Sequence, residues 1–250
     1  MYQVKSLSNF QVKPDDVVIT IMNDTLYQAL RLLGAPFAFR CVGLENIRDS
    51  GPAIYVANHL SSIGPIEAIL SVPVRFYPWV IAEMMDVARA PQYLYDDFVH
   101  PAWNLEGRGG LLVATIMSRL TVGLMHGLGC VSVDRNRGRN LSAFRHSLAL
   151  LNQGKNLLVF PEDPKGPLDP ETRMRPFLCG FISLCSMYAR ATGRPLPMYP
   201  LVVSSQAKTI SIDAPLFFEP HDNHRHNIRA VCARLREKME ALYQASEVLK

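Results

Sequence analysis

The period of hydrophobic and polar positions changes repeatedly along the chain, and each change marks an element. In "DTLYQALRLLGAPFAF" (24–39) apolar residues recur on one face of a helix that Asn23 or Asp24 can cap. After the turn "RDSGP" comes "AIYVA" (53–57), too short for a buried helix and rich in branched and aromatic side chains, so it predicts an interior strand. Pro65 stands where a helix begins, with Ile66, Ile69 and Leu70 on one face. An apolar helix is expected at 111–126 and a strand at 130–133. Next, Leu141, Phe144, Leu148 and Leu151 step by three and four behind a cap at Asn140, and Gly154 can end that helix. "NLLVF" (156–160) reads as a strand and "PEDPKGPLDP" as a proline-rich loop. A helix at 176–190, strands at 199–203 and 209–212 and an amphipathic helix at 224–243 complete the pattern.

Strand and helix alternate throughout, which predicts an α/β fold: a mixed, largely parallel central sheet flanked by helices, with an N-terminal helical segment. Residues 1–23 read as a tail and 24–250 as a single α/β domain. Residues 85–110 mix aromatics, prolines and glycines without a period, and read as an insertion or lid. Within them "GRGG" (107–110) lacks the strand-Gly-helix setting of a nucleotide loop and reads as a hinge.

Charge narrows the partners. The net charge of +4 over 250 residues is modest, but "DRNRGRN" gathers Arg135, Arg137 and Arg139. That favours phosphates or an anionic membrane surface, and no nucleic-acid motif is present. Residues 109–133 carry one permanent charge, Arg119, and five glycines, so they predict a buried or interfacial helix followed by a strand rather than a span. Five scattered cysteines without metal spacing read as small buried hydrophobes in a reducing compartment, and the N-terminus lacks a secretory pattern. His221, His224 and His226 are too unevenly spaced for a metal site.

Polar side chains at the C-terminal ends of parallel strands are where such a sheet holds ligands. Three expected strands end that way: "YVANH", "VSVDR" and "LLVFPE". A histidine there suits proton removal from a hydroxyl near neutral pH. The stretches "NHLSSIG" (Asn58 to Gly64), "GCVSVDR" (Gly129 to Arg135), "FPEDPK" (Phe160 to Lys165) and "YPLVV" (Tyr199 to Val203), in that order, resemble the four blocks of the glycerolipid acyltransferases, lysophosphatidate acyltransferases among them.

The resemblance implies acyl transfer from acyl-CoA or acyl carrier protein to a lysophospholipid hydroxyl in phospholipid biosynthesis, with no cofactor and no metal. It places the chain on the cytoplasmic face of a membrane, peripheral or shallowly inserted. His59 matches the general base, Arg135 the basic residue facing the acceptor's phosphate, and Glu162 the glutamate that contacts the acceptor. Asn58 belongs to the same binding set, and Lys165 stands where the family has Arg, keeping charge without bidentate geometry. Gly64 replaces the aspartate that orients the histidine, a loss that costs orders of magnitude in rate where it has been made. Glu67, eight residues after His59 and about 12 Å along a helix, is too distant to replace it. Asp163, beside Glu162, is the candidate substitute. The alternative is a degenerate member that binds phospholipid or acyl chains without turnover.

Overall fold

The computed structural model describes residues 14–47, 51–60, 63–134, 141–218 and 224–248, with side chains from residue 24 onward except at 224 and 225. Among these residues a sheet of eight strands forms: β1 (Arg40–Val42), β2 (Ile54–Ala57), β3 (Phe76–Ile81), β4 (Val131–Val133), β5 (Asn156–Val159), β6 (Pro197–Ser204), β7 (Thr209–Ile212) and β8 (Leu216–Phe217). Their order is β1-β7-β6-β2-β5-β3-β4, with β8 also on β6. All pairs are parallel except β6 with β7 and with β8.

The helices are α1 (Pro14–Gly34), α2 (Ile63–Ser71), α3 (Ala90–Leu94), α4 (His100–Trp103), α5 (Gly107–Gly127), α6 (Leu141–Asn152), α7 (Ser183–Thr192) and α8 (His224–Val248). They divide between the two faces of the sheet. Ile54 and Val56 of β2 join residues of α6, α7 and α8 in one core, while Tyr55 and Ala57 join Ala68 of α2 and Val72 just after it in another. A strand covered on both faces has no polar side to show, which is why "AIYVA" reads as an unbroken apolar run.

Several elements differ from expectation. Helix α1 starts at Pro14, so Asp24 is no cap: it lies mid-helix and pairs with Arg75 Nε at 2.9 Å. Arg75 also donates to Leu128 O (3.0 Å) and lies over the rings of Tyr27 and Tyr77, tying α1 to β3 and to the turn after α5. Strands β1, β3 and β8 were not anticipated. Residues 85–110 are mostly helical rather than irregular: a short turn, α3, a π turn at Tyr95–Val99 and α4 lead to α5, and Leu94 and Val99 pack on Ala114. "GRGG" opens α5 instead of forming a hinge. The cap expected at Asn140 falls outside the described residues.

Helix α5 is two-sided. Gly110, Ala114, Ser118 and Val122, spaced by four, face inward, while Leu112, Ile116 and Leu120 are 63%, 58% and 74% exposed. It is the one helix among the described residues long and apolar enough to cross a membrane. The cysteines are corrected in one respect: Cys179 and Cys232 form a disulfide joining the segment before α7 to α8, while Cys130 and Cys185 are free and buried.

Candidate active site

The candidate site lies beyond the C-terminal ends of β2 and β5. These neighbours send their chains to opposite faces, β2 into α2 and β5 toward α7, which makes the gap between them a switch point of the topology. Their register pairs Val56 with Val159, and His59 and Glu162 each follow three residues later. Parallel alignment alone thus brings the histidine and the carboxylate level.

The contact between them runs through the backbone. The His59 N–H donates to Glu162 Oε1 at 2.7 Å, and the Arg175 N–H donates to Glu162 Oε2 at 3.0 Å. Each carboxylate oxygen therefore holds a different chain segment. Glu162 is buried, and burial pushes its carboxyl above the usual range; the two amide donors and the positive charges of Arg175 and Arg236 act against that rise. His59 stays exposed beyond the end of β2, its ring edge-on to Phe160 with centroids 5.3 Å apart.

Asn58 is fully buried and secures the other side of β2. Its Nδ2 donates to Val203 O (3.0 Å), and its Oδ1 accepts from Val203 N (2.8 Å), extending the β2–β6 pairing by a side chain. The residues flanking the His59 Cα are thus held toward both neighbouring strands.

Gly64 has a steric reason. Its N–H donates to His59 O at 3.2 Å, and a Cβ built on it would lie 2.3 Å from His59 O and 2.5 Å from Asn58 O. No side chain fits at residue 64 on this backbone, so no carboxylate can stand there. Glu67 is engaged elsewhere: its Oε2 accepts from Phe39 N (3.2 Å) and Ser71 Oγ (3.1 Å).

The loop after Glu162 folds into two turns. In the first, Asp163 Oδ1 accepts the Lys165 N–H and Asp163 O accepts the Gly166 N–H, both at 3.0 Å, leaving the Lys165 side chain exposed. In the second, Asp169 Oδ1 accepts from Glu171 N and Thr172 N at 2.9 Å. The chain then returns beside Glu162: Asp163 N donates to Pro176 O (2.8 Å) and Leu178 N to Pro161 O (2.7 Å). Arg135 lies outside the described residues. Strand β4, which precedes it, ends three strand positions from β2, about 14 Å across the sheet at ~4.8 Å per strand.

Sequence reasoning missed Arg175, which holds Glu162 by its amide and Gly166 O by its guanidinium. Its place follows only from the pairing of residues 161–163 with 176–178, and "RMRPF" does not announce that pairing.

No protein-family description and no curated protein matches the sequence. Among solved structures, the chain is similar to the 1-acyl-sn-glycerophosphate (LPA) acyltransferase PlsC from Thermotoga maritima, with a TM-score of 0.47 and 17% identity over 93% of this chain and 84% of that one.

Proposed function

We propose that this chain is an acyltransferase that moves an acyl group from acyl-CoA or acyl carrier protein to the hydroxyl of a lysophospholipid, with lysophosphatidate as the first acceptor to test. The observation that carries the reading is the level pairing of His59 and Glu162 at the switch point: an exposed imidazole whose backbone is gripped by a buried carboxylate. The order of the four sequence blocks supports it independently.

In the proposed reaction the neutral His59 imidazole takes the proton of the acceptor hydroxyl as its oxygen attacks the thioester carbonyl carbon. The tetrahedral intermediate collapses with cleavage of the C–S bond. The imidazolium then returns its proton to the leaving thiolate, so no proton is gained or lost overall. Arg135 and Lys165 attract the acceptor's phosphate. Asn58 and Glu162 belong to the binding set chiefly by fixing the strand ends that the acceptor meets. Asp163, whose Oδ1 already accepts the Lys165 amide, offers its second oxygen to the imidazolium. The exposed row on α5 fits shallow contact with the membrane that supplies the acceptor.

The test is acyl transfer from acyl-CoA to lysophosphatidate in mixed micelles, comparing wild type with His59→Ala and Asp163→Asn. Loss of the base should cost about 10²–10⁴ in kcat, and Asp163→Asn should cost less while shifting the acid limb of the pH profile. Wild-type turnover unaffected by His59→Ala would overturn the mechanism, and no turnover in wild type would overturn the activity.

A further inference from the structure

We propose that Arg175 is a positioning residue that sets the turn bearing Lys165, so that recognition of the acceptor's anionic group depends on a side chain that does not touch it. This inference rests on the acyltransferase reading above for its substrate, but not for its geometry.

The turn from Asp163 to Gly166 is fastened to the returning segment at both ends. At its start the Asp163 N–H donates to Pro176 O at 2.8 Å. At its end the Arg175 guanidinium donates through Nη1 to Gly166 O. The turn also rests closely on that segment: a Cβ at Gly166 would lie 2.7 Å from Pro176 Cδ and 3.0 Å from Pro176 Cγ. Lys165 is therefore carried by a short rigid hairpin, not by a free loop, and its exposed ammonium is presented from a fixed base. The main chain of Arg175 meanwhile holds Glu162 Oε2, and Glu162 Oε1 holds the His59 amide. One residue thus couples the anion-facing turn to the strand end that carries the base.

A direct role for the Arg175 charge makes a different prediction, and a substitution that leaves every charge in place separates the two. Gly166→Ala forces the turn off Pro176 without altering any ionisable group. Acyl-transfer kinetics with varied lysophosphatidate should show acceptor KM raised about tenfold in Arg175→Met, Lys165→Met and Gly166→Ala, with kcat within about twofold of wild type. The Arg175→Met/Lys165→Met double variant should be no worse than either single one, because both remove the same contact. Hydrogen exchange of the full-length variants supplies a readout that needs no turnover. The amides of Asp163, Lys165 and Gly166 should exchange faster in Arg175→Met, those of Asp163 and Lys165 faster in Gly166→Ala, and those of Asp163 and Gly166 at the wild-type rate in Lys165→Met.

Multiplying KM effects in the double variant, or a wild-type KM in Gly166→Ala, would overturn the proposal. So would unchanged exchange at Asp163, Lys165 and Gly166 in Arg175→Met. Wild type inactive toward lysophosphatidate would sink the acyltransferase reading and the anion-recognition part with it, while the exchange data would still decide whether Arg175 sets the turn.

Discussion

An aspartate at residue 64 would put a carboxylate five residues after His59, and the geometry predicts that it lowers both stability and turnover. In Gly64→Ala the new Cβ meets His59 O at 2.3 Å, Asn58 O at 2.5 Å and His59 C at 2.8 Å, all backbone atoms. Those atoms cannot yield cheaply, because Asn58 is bonded to Val203 and the His59 amide to Glu162. Overpacking of this kind costs about 1–3 kcal/mol. If the His59 backbone gives way, the charge-assisted bond to Glu162 goes too, adding about 1.5–3 kcal/mol. The expected loss of about 3–5 kcal/mol corresponds to a fall in Tm of roughly 10 °C for a chain of this size. Gly64→Asp adds the same Cβ plus a carboxylate, so it should be at least as unstable and should lower acyl transfer rather than raise it. Gly123→Ala in α5, with nothing within 4 Å of the added carbon, is the control and should gain about 0.5–1 kcal/mol. Differential scanning calorimetry of the three variants decides the matter. A Gly64→Ala melt within 1–2 °C of wild type (about the ~0.5 kcal/mol of a neutral surface change), or a Gly64→Asp protein that turns over faster, would refute the steric argument.

Other consequences are as direct. Asn58→Ala strands the buried N–H and C=O of Val203 and should cost about 2–4 kcal/mol in urea unfolding. Reducing the Cys179–Cys232 disulfide, which spans a separation of 53 residues, should lower stability by about 4 kcal/mol, and the Cys179→Ser/Cys232→Ser double variant should coincide with the reduced wild type. Burial pushes Tyr27 from 10.0 to about 12. In that window the folded state retains a proton that the unfolded chain has lost, so stability falls as pH rises from 10 to 12. At 1.36 kcal/mol per unit the loss is on the order of 3 kcal/mol, and Tyr27→Phe should flatten that part of the alkaline unfolding curve.

Legibility followed local pattern. The strands at 54–57 and 156–159 could be read because burial on both faces leaves short runs of mostly apolar residues, that at 209–212 because isoleucine alternates with small polar residues, and α6 and α8 because their faces keep a helical period. β3 escaped notice because Pro78 stands in its middle, a residue that argues against an interior strand. β1 and β8 are three and two residues long, too short to show any period. His59 and Glu162 were legible because each closes an apolar run. Arg175 was not, because its role arises only when the chain folds back on residues 161–163. The disulfide likewise joins cysteines far apart in sequence, and no spacing rule relates them.

The register of β2 and β5 has a further consequence for how this site tolerates change in chain length. Because His59 and Glu162 are each counted three residues from a paired strand position, the alignment works like a ruler with its zero inside the sheet. A residue inserted between Val56 and His59, or between Val159 and Glu162, would shift one mark by about 3.3 Å and part the pair. Residues added at the far tip of the loop, between the turn at Gly166 and the one at Asp169, change neither count. Insertions of one residue at 57 and at 167 should therefore behave unlike each other: the first abolishing the His59–Glu162 contact, the second leaving it intact.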